Sequence, residues 1–477
     1  MKIGKNQYLF TAQKDVEGAV KKVEVGIYNL YLGEACNYYY DGCSILVLGY
    51  AIDATCPDKS LAQMCRDLTA DLNKNKLGAN ITRKWNGRWI VFVVKGNKVC
   101  VWGDCCGLKQ VFYDTNDSGI FASQARYIAE IKGYSVDKEA AEYLELAKQA
   151  DKEYACILDS TLYSSIKRLL PNHFWQDGVV KRSDLSREKG TSEKAFKLIQ
   201  NSIAGVNRLG RLAITLTAGW DSRLVLSGVD GCINASAVTL KYDWMSDDNS
   251  DLVIANELAK IKGIHHTILD CSEEDPLFRM KYLEHSEHGH PYWIQMAQAV
   301  RDGGYSEYFW VKGSCNEIIR NSFGILYDWQ VNEKILCKLY SIPPNPYAKR
   351  ILREWINGAK FYCRENNISI LDLFYWEHRM GSWLAECLNE ADVVGDMFTP
   401  FNCRVYLENG LAIKTNKRVA PDYMFFDEIL KHGSFNVKNL PINANRYKSV
   451  KSKLKLVIKN NGHLLYGLIL NRQGKKL

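Results

Sequence analysis

The sequence predicts an α/β chain: a layered α+β unit first, then a doubly wound parallel sheet with a helical C-terminal extension. Three observations predict it. Short apolar, β-branched and aromatic runs crowd residues 1 to about 135. Strand-like and helix-like segments alternate between 212 and 312, the pattern of a parallel sheet covered by helices. From 330 to 477 the chain reads mostly helical.

In order along the first unit, segments 44–50, 89–94, 98–102, 111–113 and 120–122 read as strands, divided by turns at Gly96-Asn97 and Asp117-Ser118-Gly119. One helix, 61–73, interrupts them, and another follows at 138–150. Asp177-Gly178 is a hairpin signal. Thr191 or Ser192 caps the next helix, whose Ala195, Phe196, Leu198, Ile199 and Ile203 share one face. A boundary near 186 gives units 1–185 and 186–477. The second unit runs strand 212–216 and its helix, strand 235–240, helix 248–262 closed by Gly263, strand 266–269, a helical region at 291–301, and strand 308–312.

At 477 residues the chain exceeds one core. Hydrophobic content of 47% and charged content of 24% suit a soluble globular protein, and a net charge of +8 does not require nucleic acid. The 15 cysteines show no C-x-x-C spacing, the start MKIGKNQYLF has no apolar core of a signal peptide, and no long apolar run predicts a membrane span. The expectation is a cytoplasmic protein with reduced thiols.

The chemistry concentrates at 211–229, RLAITLTAGWDSRLVLSGV. An apolar strand runs into Thr217, Ala218, Gly219, Trp220, Asp221 and Ser222, and a helix follows. Strand, tight turn and helix start aim backbone N–H groups at an anion. Thr217 and Ser222 add hydroxyls, and Asp221 could hold Mg²⁺ against phosphate oxygens. The lysine-bearing G-x-x-x-x-G-K-[ST] loop is absent. By the switch-point rule the ligand sits beyond the strand C-termini, where Gly313 to Glu317 also lie. Asp221 and Glu317 are the expected metal pair, and an ion pair with Arg320 is the competing reading of Glu317. Asp251 reads as a loop-orienting residue, and His265 and His266 as strand-flanking. The cluster Glu284, His285, Glu287, His288 and His290 lacks H-E-x-x-H and reads as a polar loop or pocket wall rather than a zinc site.

The loop at 217–222 resembles S-G-G-x-D-S of the ATP pyrophosphatases, with Thr217 for Ser and Ala218 for Gly. Alanine at 218 restricts φ > 0 and close approach to a ligand. Further segments occur in the order of asparagine synthetase-like proteins. Gly87, residues 89–94, Val101-Trp102-Gly103-Asp104, Gly107, Val111-Phe112-Tyr113 and Phe121-Ala122-Ser123 resemble the glutaminase domain, with Gln124 where a Glu usually stands. Asp251 with Ala255, Ala259 and His265-His266 resembles the stretch after the loop. Gly313-Ser314-Cys315-Asn316-Glu317 with Arg320 resembles G-x-G-x-D-E, and more closely a form in relatives associated with surface polysaccharides. Asp396, Pro400-Phe401 and Arg404 resemble E-x-R-x-P-F-l-D-x-R, with Phe398 for Arg and Asn402-Cys403 for Leu-Asp.

The resemblance implies an N-terminal-nucleophile hydrolase-like first domain followed by an ATP pyrophosphatase domain. It implies catalytic roles for Glu317, Asp396 and a C-terminal lysine, with Lys448, Lys451 and Lys453 all candidates, and an ATP site at Thr217, Ala218, Gly219, Asp221, Ser222 and Gly313. ATP and Mg²⁺ are the implied cofactors. The reaction is adenylation of a small-molecule carboxylate, then amide formation with ammonia or an amine. Those glutaminases use an N-terminal cysteine; residue 2 here is Lys and Cys36 is internal, so glutamine hydrolysis is not expected. No membrane partner is expected, nucleic acid is disfavoured, and a homodimer is left open. A tRNA-acting ATP pyrophosphatase and a non-catalytic relative are the alternative readings.

Overall fold

The computed structural model describes residues 2–74, 76–151, 154–186, 188–232, 234–271, 274–433, 440–442 and 450–473. Among them, two antiparallel sheets stack near the N-terminus. Their strands are β1 (Tyr8–Thr11), β2 (Lys21–Val25), β3 (Tyr28–Leu32), β4 (Tyr38–Tyr40), β5 (Ile45–Asp53), β6 (Trp85–Lys95), β7 (Lys98–Gly103), β8 (Phe112–Asp114), β9 (Ile120–Ala122), β10 (Ile166–Arg168), β11 (His173–Gln176) and β12 (Val179–Arg182). One sheet has the order β10-β8-β9-β1-β3-β2, the other β12-β11-β7-β6-β5-β4.

Tyr8, Phe10, Leu46, Leu48, Ile90, Phe92 and Phe121 fill the space between the sheets. The outer face of the second sheet buries Met64, Cys65 and Leu68 of α1 (Leu61–Leu72). The outer face of the first buries Tyr127, Ile128 and Ala129 of α2 (Ala125–Lys132). The result is four layers, helix–sheet–sheet–helix, each burying one apolar face against the next. Ser60 and Gln63 close a reciprocal capping box on α1, a device worth about 1 kcal/mol. The β11–β12 hairpin turns at Asp177 and Gly178, φ 47° and 87°, as a turn with both central residues left-handed requires. The longer helix α3 (Lys138–Ala150) lies between β9 and β10 in the chain.

Next come α4 (Ser192–Asn207), capped by the Thr191 hydroxyl, then β13 (Leu212–Thr215), α5 (Trp220–Ser227), β14 (Ala235–Lys241), α6 (Ser250–Lys262) and β15 (His266–Asp270). After α7 (Pro276–His285) and α8 (Pro291–Asp302), β16 (Phe309–Val311) returns to the other side of β13. The sheet reads β15-β14-β13-β16-β17, with β17 (Met397–Phe398) at its edge, and every pairing is parallel. Two segments on one side of β13 and two on the other make this a doubly wound sheet. Its switch point lies between β13 and β16.

The rest is helical: α9 (Glu333–Leu339), α10 (Pro346–Asn366), α11 (Ile370–Phe374), a π-helical segment Tyr375–Leu384, α12 (Ala385–Ala391), α13 (Arg404–Leu411), α14 (Thr415–Arg418), α15 (Met424–Leu430), α16 (Val450–Asn461) and α17 (His463–Gln473). One continuous core runs from Tyr50, Ile52 and Cys106 of the first layers through the parallel sheet into these helices. Among the described residues no helix is long and apolar enough to cross a membrane.

Candidate functional site

The crevice at the C-terminal ends of β13 and β16 is built by two short segments. The first leaves β13 through Leu216, whose N–H donates to Val238 (2.8 Å) and whose carbonyl accepts from the Thr239 hydroxyl (2.8 Å). The Thr217 and Ser222 hydroxyls meet at 2.9 Å across the loop, and Ser222 Oγ also accepts the Thr217 N–H at 3.2 Å. Ala218 N–H donates to Asp251 Oδ1 at 2.8 Å, so Asp251 on the first turn of α6 holds the loop in place. Neither Ala218 nor Gly219 has a positive φ, and Ala218 is buried. The side chain that seemed to disturb the loop sits in ordinary backbone, packed inward. Gly219 stands at the N-cap of α5 and supplies no side-chain cap to the first-turn amides.

The second segment leaves β16 at Lys312 and turns through Cys315, whose φ of 75° places a non-glycine residue in the left-handed region. A short 3₁₀ turn, Asn316–Arg320, follows. Gly313 packs on Asp221: a Cβ there would come within 2.6 Å of Asp221 Cβ, so glycine is needed for the approach.

Charge gathers where the segments meet. Asp221 accepts from Asn316 Nδ2 at 2.7 Å and pairs with Arg320 at 3.0 Å. Arg320 also reaches Glu317 at 3.4 Å, so the sequence-level alternative of an Arg320 pair is present and takes in both carboxylates. Tyr406 on α13 donates to Asn316 Oδ1 at 2.7 Å and fixes that amide. Glu317 Oε2 and Arg320 Nε are buried with no hydrogen-bond partner among the described residues. Burial raises the Glu317 carboxyl above its ordinary range; Arg320 pulls it back and Asp221 pushes it further up. Arg223, one residue beyond the predicted loop, is fully buried and donates to the carbonyls of Ala218 (3.4 Å), Leu440 (3.2 Å) and Pro441 (2.7 Å). It ties the loop to a C-terminal segment, and the sequence reading missed it because arginine inside an apolar helical run carries no motif.

Thus Thr217, Ala218, Gly219, Asp221, Ser222, Gly313 and Glu317 come together. Asp396 does not, which corrects its grouping with them. It precedes β17, at the opposite end of the sheet, where its carboxylate accepts from Asn6 at 2.9 Å beside the buried Arg88–Asp392 pair of 2.5 Å. Its neighbours in the same motif build the seam between the two halves. Asn402 donates to Gly87 O (2.7 Å) and to Asp104 (2.9 Å), and Arg404 to Asn172 (2.5 Å). Lys448 lies outside the described residues; Lys451 and Lys453 fall on α16.

The histidine cluster is buried and paired. His288 meets Glu386 at 2.8 Å and His290 meets Glu390 at 3.1 Å. His285 lies against the Gln7 amide at 3.2 Å. Among the described residues no group of three or more His, Cys, Asp and Glu is placed to hold a metal ion. His266 bonds the Thr239 hydroxyl at 2.8 Å behind the loop.

No family model matches the chain, and no curated protein matches it. Among the solved structures that resemble it weakly are these three. A U34-tRNA thiolase from Methanococcus maripaludis is 9% identical over 60% of this chain and 79% of its own, with a TM-score of 0.23. A glutamine-dependent NAD⁺ synthetase from Acinetobacter baumannii is 12% identical over 50% of this chain and about half (51%) of its own, with a TM-score of 0.21. A glutamine phosphoribosylpyrophosphate amidotransferase from B. subtilis is 13% identical over 66% and 71%, with a TM-score of 0.20. Scores this low carry no functional weight, and the functional reading rests on the crevice.

Proposed function

We propose that the chain is an ATP-dependent ligase that adenylates a small carboxylic acid, releases pyrophosphate and forms an amide with ammonia or a substrate amine. One observation carries the reading: the strand–turn–helix at 217–222 faces Gly313–Arg320 across the switch point, with Asp221 and Glu317 at their meeting. On this reading the first-turn amides of α5 and the hydroxyls of Thr217 and Ser222 bind the β- and γ-phosphates. The α-phosphorus then faces the acid, one carboxylate oxygen attacks it, and the bond to pyrophosphate breaks. No lysine within 211–229 stands on a γ-phosphate as a phosphate-transferring loop would require.

Asp221 and Glu317 fit a hard cation such as Mg²⁺: both offer carboxylate oxygens, and Glu317 Oε2 has no hydrogen-bond partner among the described residues. When bound, the ion would offset phosphate charge there. Arg320 must release one carboxylate to admit it. That same pairing favours a second reading, a nucleotide-binding relative without turnover. We place the boundary between the two working units near 186. ATP–pyrophosphate exchange with a panel of acids tests the proposal: acid-dependent exchange supports the ligase, whereas ATP binding without exchange supports the second reading.

A further inference from the structure

The ligase reading leaves open what holds the acid, and β16 supplies a candidate that no motif marked. Lys312 directly follows that strand, its N–H donating to Phe398 O at 2.8 Å, one residue before the glycine packed on Asp221. Its side chain is partly buried and turns toward α8. The ammonium lies 4.5 Å from the centroid of the Trp293 ring and 3.6 Å from the Met296 sulfur. Among the described residues no oxygen acceptor or carboxylate contacts it.

A π face and a thioether are poor compensation for a desolvated ammonium. The nearby thiols do not supply a counter-charge: burial pushes Cys387 up to about 11 and Cys271 up to about 12, so both are neutral at pH 7. Burial draws Lys312 itself down to about 8, against the smaller raising pull of those two groups. Trp293 meets Trp383 edge to face at 6.4 Å, and the Arg379 guanidinium lies 3.6 Å over Trp383. The Arg379 charge also helps to lower the Glu317 carboxyl. All four side chains are partly exposed. Arg379 and Trp383 stand on the π-helical segment, the kind of helix irregularity that concentrates at functional sites.

We propose that Lys312 receives the carboxylate of the acid substrate beside the phosphate loop, with the Trp293–Trp383 pair as the wall of its pocket. This rests on the ligase reading above. The carboxylate supplies the missing anion, and the strand end sets it next to the loop that would hold the nucleotide. Binding costs no proton: the carboxylate arrives ionised and meets an ammonium.

The test is labelling of Lys312 by trinitrobenzenesulfonate at pH 8, read by mass spectrometry of its peptide. Succinate, benzoate and glucuronate are each added with Mg²⁺ and ATP, and ATP alone and pyrophosphate alone serve as comparisons. The expected result is about tenfold slower labelling with one of the acids, the size of one charge-assisted contact, and little slowing by ATP alone. Labelling unchanged by all three acids, or slowed equally by ATP or pyrophosphate alone, would overturn the assignment. The readout needs no turnover. A chain that shows acid protection without exchange loses the ligase reading and keeps the Lys312 site.

For the protecting acid, Lys312→Met should raise the KM for acid about tenfold and leave the KM for ATP unchanged. Lys312→Arg should restore it. Wild-type acid binding should weaken as pH rises through about 8, and Lys312→Arg should remove that limb. An equal rise in both KM values would count against the assignment.

Discussion

The head of β1 and the C-terminal ends of β13 and β16 are both strand ends facing the middle of the molecule, and they are furnished differently. At β1 the side chains are neutral amides and a phenol, and the charges of Lys109, Arg126 and Asp396 are bonded into the same network. Gln7 donates to His285 O at 3.1 Å, accepts from the Tyr127 hydroxyl and is fully buried. Asn6 bonds Asp396, and Gln124 donates to His285 O at 2.6 Å. Burial lowers the His285 pKa, so the one imidazole there is neutral. These groups join the first layers to α7 and the region before β17. At β13 and β16, by contrast, the charged Asp221, Glu317 and Arg320 gather where the two segments meet, Lys312 stands just after β16, and among the described residues Glu317 Oε2 and Arg320 Nε lack hydrogen-bond partners. Polar groups that bond one another across a seam serve structure. Charged groups left incomplete in a crevice are available to a ligand.

The largest effect should come from the seam. Burial opposes both charges of the His288–Glu386 pair, yet His288 and Arg168 hold Glu386 down to about 2, and Glu386 and Cys156 hold His288 well above its ordinary 6.5. Glu386→Gln leaves a buried imidazolium and arginine short of their partner and should cost about 3–5 kcal/mol. The sign follows from the two shifts. Glu386, lowered, contributes above its ordinary 4.5 and loses that as pH falls toward 2. His288, raised, contributes fully below 6.5 and loses that as pH rises through its elevated folded value. Chemical denaturation across pH should therefore show the wild-type advantage over Glu386→Gln greatest between 4.5 and 6.5 and smaller on either side.

Next in size is Asp221→Asn. It should reduce acid-dependent ATP–pyrophosphate exchange by about 100-fold, roughly 2.7 kcal/mol of transition-state stabilisation, and leave the melting temperature nearly unchanged. Full activity at unchanged Mg²⁺ dependence would remove the metal role and the contrast with it.

The smallest effect should be at Gln7→Ala, read in the same two assays. Losing the amide leaves the Tyr127 hydroxyl without its acceptor, while the His285 carbonyl keeps the Gln124 amide, at a cost of about 1–3 kcal/mol of stability. Exchange by the folded protein should not change, and neither wild type nor variant should release glutamate from glutamine. Glutamate release above a no-enzyme control would make the head of β1 a second active site.

Much of this was legible along the chain where one period dominates. The predicted helix at 138–150 coincides with Lys138–Ala150, and the Thr191 cap and the Gly263 stop stand where expected. The run at 89–94 proved the middle of the longer β6, whose partners supply the rest of its pairing. β2 to β4 escaped notice because they mix lysine, tyrosine and asparagine with few aliphatics, and β1 because its apolar run is only four residues long; pairing with neighbouring strands makes them strands. The loop at 217–222 could be read because its residues are contiguous. Asp396 was misplaced because linear order along a motif says nothing about strand ends: β17 is only Met397–Phe398, so a residue just before it lies a full strand away from the crevice. Lys312 was passed over as the polar stop of a strand. The available signal was a lysine directly after an apolar run with Glu317 as the nearest acid in the chain after it.

The nucleotide product tests the central claim most directly. Incubation of the full chain with ATP, Mg²⁺ and a panel of carboxylic acids, followed by separation of nucleotides, should yield AMP and pyrophosphate in an acid-dependent manner. On the proposed reading the loop at 217–222 takes the β- and γ-phosphates as the leaving group, which leads to that result. ADP and phosphate as the main products would contradict it.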